Sequence, residues 1–105
     1  MYVAVYAWRV KPGHEERFRE AWRRGTLAIT RLYGSFGSRL HRAGDGRFIG
    51  YAEWPDEATW KAAFDARMVY DDPEARAMFV EALAEAPGEL IAAMEVTDDL
   101  LTRRG

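Results

Sequence analysis

The residues with most to offer chemically are aromatic. Tyr6 and Trp8 lie in a stretch that alternates, with Tyr2, Ala4, Tyr6, Trp8 and Val10 to one side and Val3, Val5, Ala7 and Arg9 to the other. Such alternation puts both rings on one face of a strand. Trp22 belongs to a stripe at three- and four-residue steps (Phe18, Ala21, Trp22, Gly25, Ile29, Leu32), and Trp60, Ala63 and Phe64 form another. These are the apolar faces of helices. If Tyr6, Trp8, Trp22, Trp60 and Phe64 meet, they wall an aromatic pocket suited to a flat ligand. The same rings could simply fill a core rich in alanine and glycine, where large side chains supply volume. Tyr6 is the strongest single candidate, because a buried phenol needs a hydrogen-bonding partner and could be one for a ligand.

Other chemistries find little support. His41 alternates with Phe36, Ser38 and Leu40, so with Arg39 it should face away from the helices, toward a polar interface role rather than catalysis. His14 sits beside Glu15 and Glu16 in the first turn of a helix and is expected to be solvated; adjacent helical residues do not share a face, so these three make no metal site. Asp71-Asp72 and Asp98-Asp99 lack a completing ligand and read as a cap and a solvated turn. Ser35 and Ser38 lack a nucleophile elbow, and there is no glycine-rich phosphate loop. With no cysteine, disulfides and thiolate-bound metals are excluded. The absence of Asn and Gln leaves no side-chain amide to orient a substrate. Neither a cofactor nor a metal is expected.

The chain that positions these groups has 105 residues and a net charge of −2, which fits one domain over residues 1–105 and gives no electrostatic footprint for nucleic acid. Apolar runs are too short to span a membrane, and Met1-Tyr2-Val3-Ala4 does not open a signal peptide, so a cytoplasmic location is expected.

The elements follow from changes of period. The first strand, apolar on both faces, stops at Lys11-Pro12-Gly13. A helix of about five turns follows, with Glu15/Arg19 and Glu20/Arg24 in favourable order and Gly34 as its left-handed cap. Phe36–His41 and Arg47–Trp54 flank the turn residues Ala43-Gly44-Asp45-Gly46 and read as a hairpin whose second strand is central. Asp56 caps the next helix; the pattern lapses at Val69-Tyr70-Asp71 and restarts at Asp72-Pro73, carrying Ala75, Met78, Phe79, Ala82, Leu83 and Ala86 up to Pro87-Gly88. This reads as one broken helix. Leu90–Val96 is helical by composition but, placed after Pro-Gly and ending on β-branched residues, reads as a strand. The polar tail from Thr102 is expected to fray.

Strand, helix, strand, strand, helix, strand is the order of a ferredoxin-like βαββαβ fold: α+β, with a four-stranded antiparallel sheet and helices on one face. The first and third strands are central, matching their two apolar faces. The helix-free face, carrying Val3, Val5, Ala7, Ile49 and Tyr51, would be left wet, so the expected partner is a second copy packed face to face.

Val10-Lys11-Pro12-Gly13 after the first strand, the helix with Phe18 and Trp22, Gly34-Ser35-Phe36-Gly37-Ser38-Arg39-Leu40 and Trp54-Pro55-Asp56-Glu57-Ala58-Thr59-Trp60 together resemble the antibiotic biosynthesis monooxygenase (ABM) family over nearly the whole chain. These motifs are caps, turns and core aromatics rather than catalytic signatures. The resemblance implies a dimeric α+β barrel with a pocket between sheet and helices in each protomer. It also implies two activities: cofactor-free oxygenation of polycyclic phenols by O₂, and haem degradation. The first needs a substrate that supplies its own electrons, a dry aromatic cavity and a donor for an oxyanion. The second is disfavoured. The chain has no Asn, Tyr6 stands near where one would fall, Ala63 or Phe64 near the Trp position with Trp60 one turn earlier, and no His follows Trp54. The expectation is therefore a homodimer binding a hydrophobic aromatic small molecule, with cofactor-free monooxygenase activity. A non-catalytic metabolite-binding dimer is the alternative, and an isomerase or lactone-processing enzyme would need an ionisable pair that is not evident.

Overall fold

Residues 1–102 are described by a computed structural model of the chain, and the tail expected to fray lies mostly in 103–105, outside the described residues. Alternating β-branched and aromatic residues form β1 (Tyr2–Trp8), and the 3.6-residue stripe forms α1 (Glu15–Tyr33). Gly34, at φ 79°, closes α1 by donating its N–H to the Thr30 carbonyl. The hairpin is β2 (Gly37–Arg42) and β3 (Phe48–Trp54), and the last strand is β4 (Glu89–Glu95). All pairings are antiparallel, in the order β2-β3-β1-β4, with β1 and β3 central. β1 and β4 slip register between Val5 and Tyr6, where a bulge accommodates Ile91.

The second helical segment is two helices, not one broken helix: α2 (Glu57–Asp65) and α3 (Pro73–Ala82). Arg67 and Met68 both take positive φ, which a helix cannot propagate. The linker is held against α1 by two ion pairs, Arg31–Asp71 at 3.0 Å and Arg24–Asp72 at 2.7 Å, and by the Tyr33 hydroxyl donating to the Val69 carbonyl. Tyr70 tucks its hydroxyl against Gly25, where even a methyl group would collide with it. Asp56 and Asp72 cap their helices as expected, accepting from the N–H groups of Thr59 and Ala75. α3 ends at Ala82 rather than Ala86, because Leu83 bridges to Val10 and Ala84 donates to the Arg9 carbonyl, extending the sheet beyond β1.

Two further expectations need correction. Arg24 reaches across to Asp72 and Glu74, and Glu20 instead pairs with Arg23 and Glu16 with Arg19, three residues apart. His14 stands just before α1, and its Nδ1 is shut off from water without a hydrogen-bond partner.

The core fills the space between helices and sheet. Tyr2, Ala4, Ala52 and Trp54 pack on Trp60 and Ala63 of α2. At the other end Phe18, Phe48, Ala82 and Leu83 pack together, joined by Trp8, Trp22, Leu40 and Phe79. On the helix-free face Val3 is only 2% exposed, flanked in register by the longer Glu53 and Met94, and Ala7 is also buried. Val5, Ile49 and Tyr51 remain half-buried there, so that face is drier than alternation alone implies. No helix among the described residues is long and apolar enough to cross a membrane.

Candidate functional site

β1 delivers Tyr6 and Trp8 to the helix-facing side, their rings stacked 6.1 Å apart and 17° from parallel. α2 brings Trp60 over Tyr6, and the indole Nε1–H donates to the phenol oxygen at 3.0 Å. Phe64, one turn along α2, lies 5.0 Å from Trp60 but is 40% exposed, at the rim of the cluster. Trp8 continues inward against Phe18 and Phe79. It meets Trp22 of α1 over Gly50: a Cβ there would lie 2.7 Å from Trp8 Cη2 and 3.8 Å from Trp22 Nε1. Phe64, Trp60, Tyr6, Trp8 and Trp22 thus form one continuous path of rings across the sheet.

Along this path only Trp60 is buried; Tyr6, Trp8 and Trp22 are half-buried although they lie between sheet and helices. Tyr6 is the chemically distinctive member. Burial raises its phenol above the ordinary tyrosine value, and the hydrogen bond from Trp60 pulls less strongly the other way. The group is therefore a neutral hydroxyl at physiological pH. Its oxygen already accepts from Trp60, which leaves its own proton to donate.

Beyond Trp22 the path opens into a groove of ≈ 970 Å³ between α1 and the edge strand β2, with Trp22, Leu40 and Phe48 as its apolar lining and charged side chains around them. Arg39 and His41 sit at its β2 edge; the His41 ring Nδ1 is 3.1 Å from the Ile49 carbonyl, consistent with a structural contact. Alternation does not reveal that Gly50 and Gly88 are the two seats of the Trp8 ring. A Cβ on Gly88 would come within 2.2 Å of Trp8 Nε1. A glycine inside a strand is a signal of close approach, and Gly50 carried it. Among the described residues no group of three His, Asp or Glu side chains is placed to hold a metal ion.

The architecture defines a ferredoxin-like α+β domain with an aromatic seam leading to an open groove. The antibiotic biosynthesis monooxygenase profile matches residues 1–70, and the chain belongs to that family. No curated protein matches the sequence. Solved structures share the fold. A Bordetella bronchiseptica protein provisionally assigned to the family superposes with a TM-score of 0.73 at 22% identity, covering 91% of this chain and 96% of its own. The ActVA-Orf6 monooxygenase of Streptomyces coelicolor, solved with nanaomycin D, has a TM-score of 0.67 at 22% identity, covering 97% and 92%. SnoaB of Streptomyces nogalater, a cofactor-independent oxygenase, has a TM-score of 0.67 at 14% identity, covering 94% and 95%.

Proposed function

We propose that this chain is a homodimeric protein that binds a flat aromatic small molecule beside Tyr6, Trp8, Trp22, Trp60 and Phe64 and oxygenates it with O₂ without a cofactor. The observation that carries the reading is the partial exposure of Tyr6, Trp8 and Trp22 inside the layer between helices and sheet, on a path that opens into the groove. A ring system entering from the groove stacks on Trp22 and meets Tyr6 further in. The substrate, an electron-rich hydroxyarene whose keto tautomer carries a ring CH₂, gives up a proton to solvent, and the resulting anion supplies the electrons that reduce O₂. A C–O bond forms at that ring carbon and the peroxide takes a proton back from solvent. O–O cleavage with loss of the remaining C–H then leaves one oxygen atom as the carbonyl and the other as water. Tyr6, a neutral donor braced by Trp60, stabilises the oxyanion that develops. The likeness in fold to a cofactor-independent oxygenase supports this chemistry. The helix-free face, with Val5, Ile49 and Tyr51 half-buried and Met94 exposed, supports pairing with a second copy.

The test is oxygen uptake on a panel of hydroxyanthracenes and quinols, run beside native mass spectrometry of the purified protein. One O₂ consumed per substrate, lost in Tyr6→Phe and Trp22→Ala, supports the reading. Binding without oxygen uptake assigns a non-catalytic metabolite carrier, and substrate loss without uptake assigns isomerase-type chemistry. Variants that bind and turn over every compound like the parent overturn the site, and a bare monomer overturns the dimer.

A further inference from the structure

The charge around the groove is one-sided. Arg19, Arg23, Arg39 and Arg42 line it against Glu16 and Glu20, an excess of two positive charges on a chain whose net charge is −2. Both glutamates are engaged: Glu20 accepts two hydrogen bonds from Arg23, at 2.7 and 2.8 Å, and Glu16 lies 3.8 Å from Arg19. Neither Arg39 nor Arg42 pairs with a carboxylate among the described residues. The two differ in placement. Register puts Arg42 opposite Phe48, on the helix-facing side of β2 with Ser38 and Leu40, whereas Arg39 stands opposite Tyr51 on the other face. The Arg42 guanidinium is carried 5.2 Å above the centre of the Phe48 ring. A cation lying on an aromatic face is held in place while its N–H donors stay free for a planar anion.

We infer that the groove recognises an aromatic acid, its ring system against Trp22 and its carboxylate against Arg42. The inference rests on the aromatic-ligand reading above and adds to it the acidic substituent and the residue that selects it. Stacking alone does not distinguish an acid from its neutral isostere; an unpaired guanidinium fixed beside the stacking surface does, by a charge-assisted, two-point hydrogen bond. Because the groove is open to solvent, the discrimination is expected at about tenfold in affinity, toward the lower end for such bonds, and to weaken as salt is raised.

The experiment is calorimetric titration of the full chain with 2-naphthoate and anthracene-2-carboxylate, each beside the corresponding neutral arylmethanol. The expected result is about tenfold tighter binding of the acids. Arg42→Met should abolish that preference, bringing the affinity of the acids down to that of the alcohols, and Arg42→Lys should restore part of it. Acids and alcohols binding equally well to the parent overturns the acid assignment and leaves the aromatic-binding reading standing. A preference that survives Arg42→Met overturns the role of Arg42. Binding of neither class overturns both readings. Arg42 is itself exposed at a strand edge, and methionine keeps an apolar stem over the Phe48 ring that the guanidinium covers.

Discussion

Adding a single methyl group at Gly88 tests the packing of the aromatic seam. The new Cβ would stand 2.2 Å from Trp8 Nε1 and 2.3 Å from Cδ1, with the Ala7 carbonyl at 3.3 Å. Ordinary contact begins near 3.5 Å, so the indole must retreat by roughly 1 Å. Its room to do so is limited. Its far edge already rests over Gly50, and Phe18, Phe79 and Tyr6 hold its faces and rim at centroid distances of 5.7, 5.6 and 6.1 Å. Gly88→Ala should therefore carry an overpacking cost of about 1–3 kcal/mol, with the melting temperature falling by about 4–8 °C for each kcal/mol in a domain of this size. Gly44→Ala, where a Cβ meets nothing within 4 Å, is the control and should be near neutral. Urea unfolding of both variants gives the comparison, and a double-mutant cycle localises the effect. In a Trp8→Leu background the Gly88→Ala cost should largely vanish, a coupling of about 0.5–3 kcal/mol. If Gly88→Ala matches the control, or costs as much with leucine at position 8 as with tryptophan, the seating of Trp8 described above is wrong.

Other expectations follow from single contacts. Tyr6→Phe removes the acceptor of the Trp60 Nε1–H in a residue only 6% exposed, so unfolding in urea should show a loss of about 1–3 kcal/mol from the stranded donor; stability equal to the parent would mean that the indole finds another partner. Asp72 is held below the usual carboxylate range, first by the hydrogen bond from Arg24 and then by the Ala75 N–H. Its contribution is present above the unfolded value of roughly 3.9 and lost as pH falls through the lower folded value. Arg24→Met should therefore flatten the acid limb of a melting-temperature profile below pH 4 or so, while Asp72→Ala, which also loses the cap, should lower the melting temperature at neutral pH more than Asp72→Asn. Ile49→Asp places a charge on the helix-free face opposite Ala7, and sedimentation equilibrium should then report a monomer; an intact dimer would put the interface elsewhere.

Most of the fold was legible in the sequence because its signals are local. Two central strands apolar on both faces, a hairpin with a glycine-rich turn, and Asp56 and Asp72 as caps all need only neighbouring residues to be read. What was not legible depends on contacts distant in sequence. The separation of α2 from α3 rests on Arg24 and Arg31 reaching to Asp72 and Asp71 and on Tyr70 settling against Gly25. Without α3 in view, Arg24 looks like a partner for Glu20. The early end of α3 is likewise imposed from outside, by the main chain of Arg9 and Val10. Periodicity identified the five rings and the face each occupies, but not that they form a single path, because that depends on two glycines making room for one indole. The groove was invisible for a related reason. Its lining combines one helix face with both sides of an edge strand, and no sequence period spans such a surface.

That edge strand has a consequence for the behaviour of the protein in concentrated solution. β2 borders the sheet, and its outer row of peptide groups is a template on which another chain can add. Its sequence, Gly37-Ser38-Arg39-Leu40-His41-Arg42, sets guanidinium groups along the exposed border. Two copies that approach border to border bring these cations together and repel one another. The arginines that polarise the groove therefore also discourage fibril-like stacking.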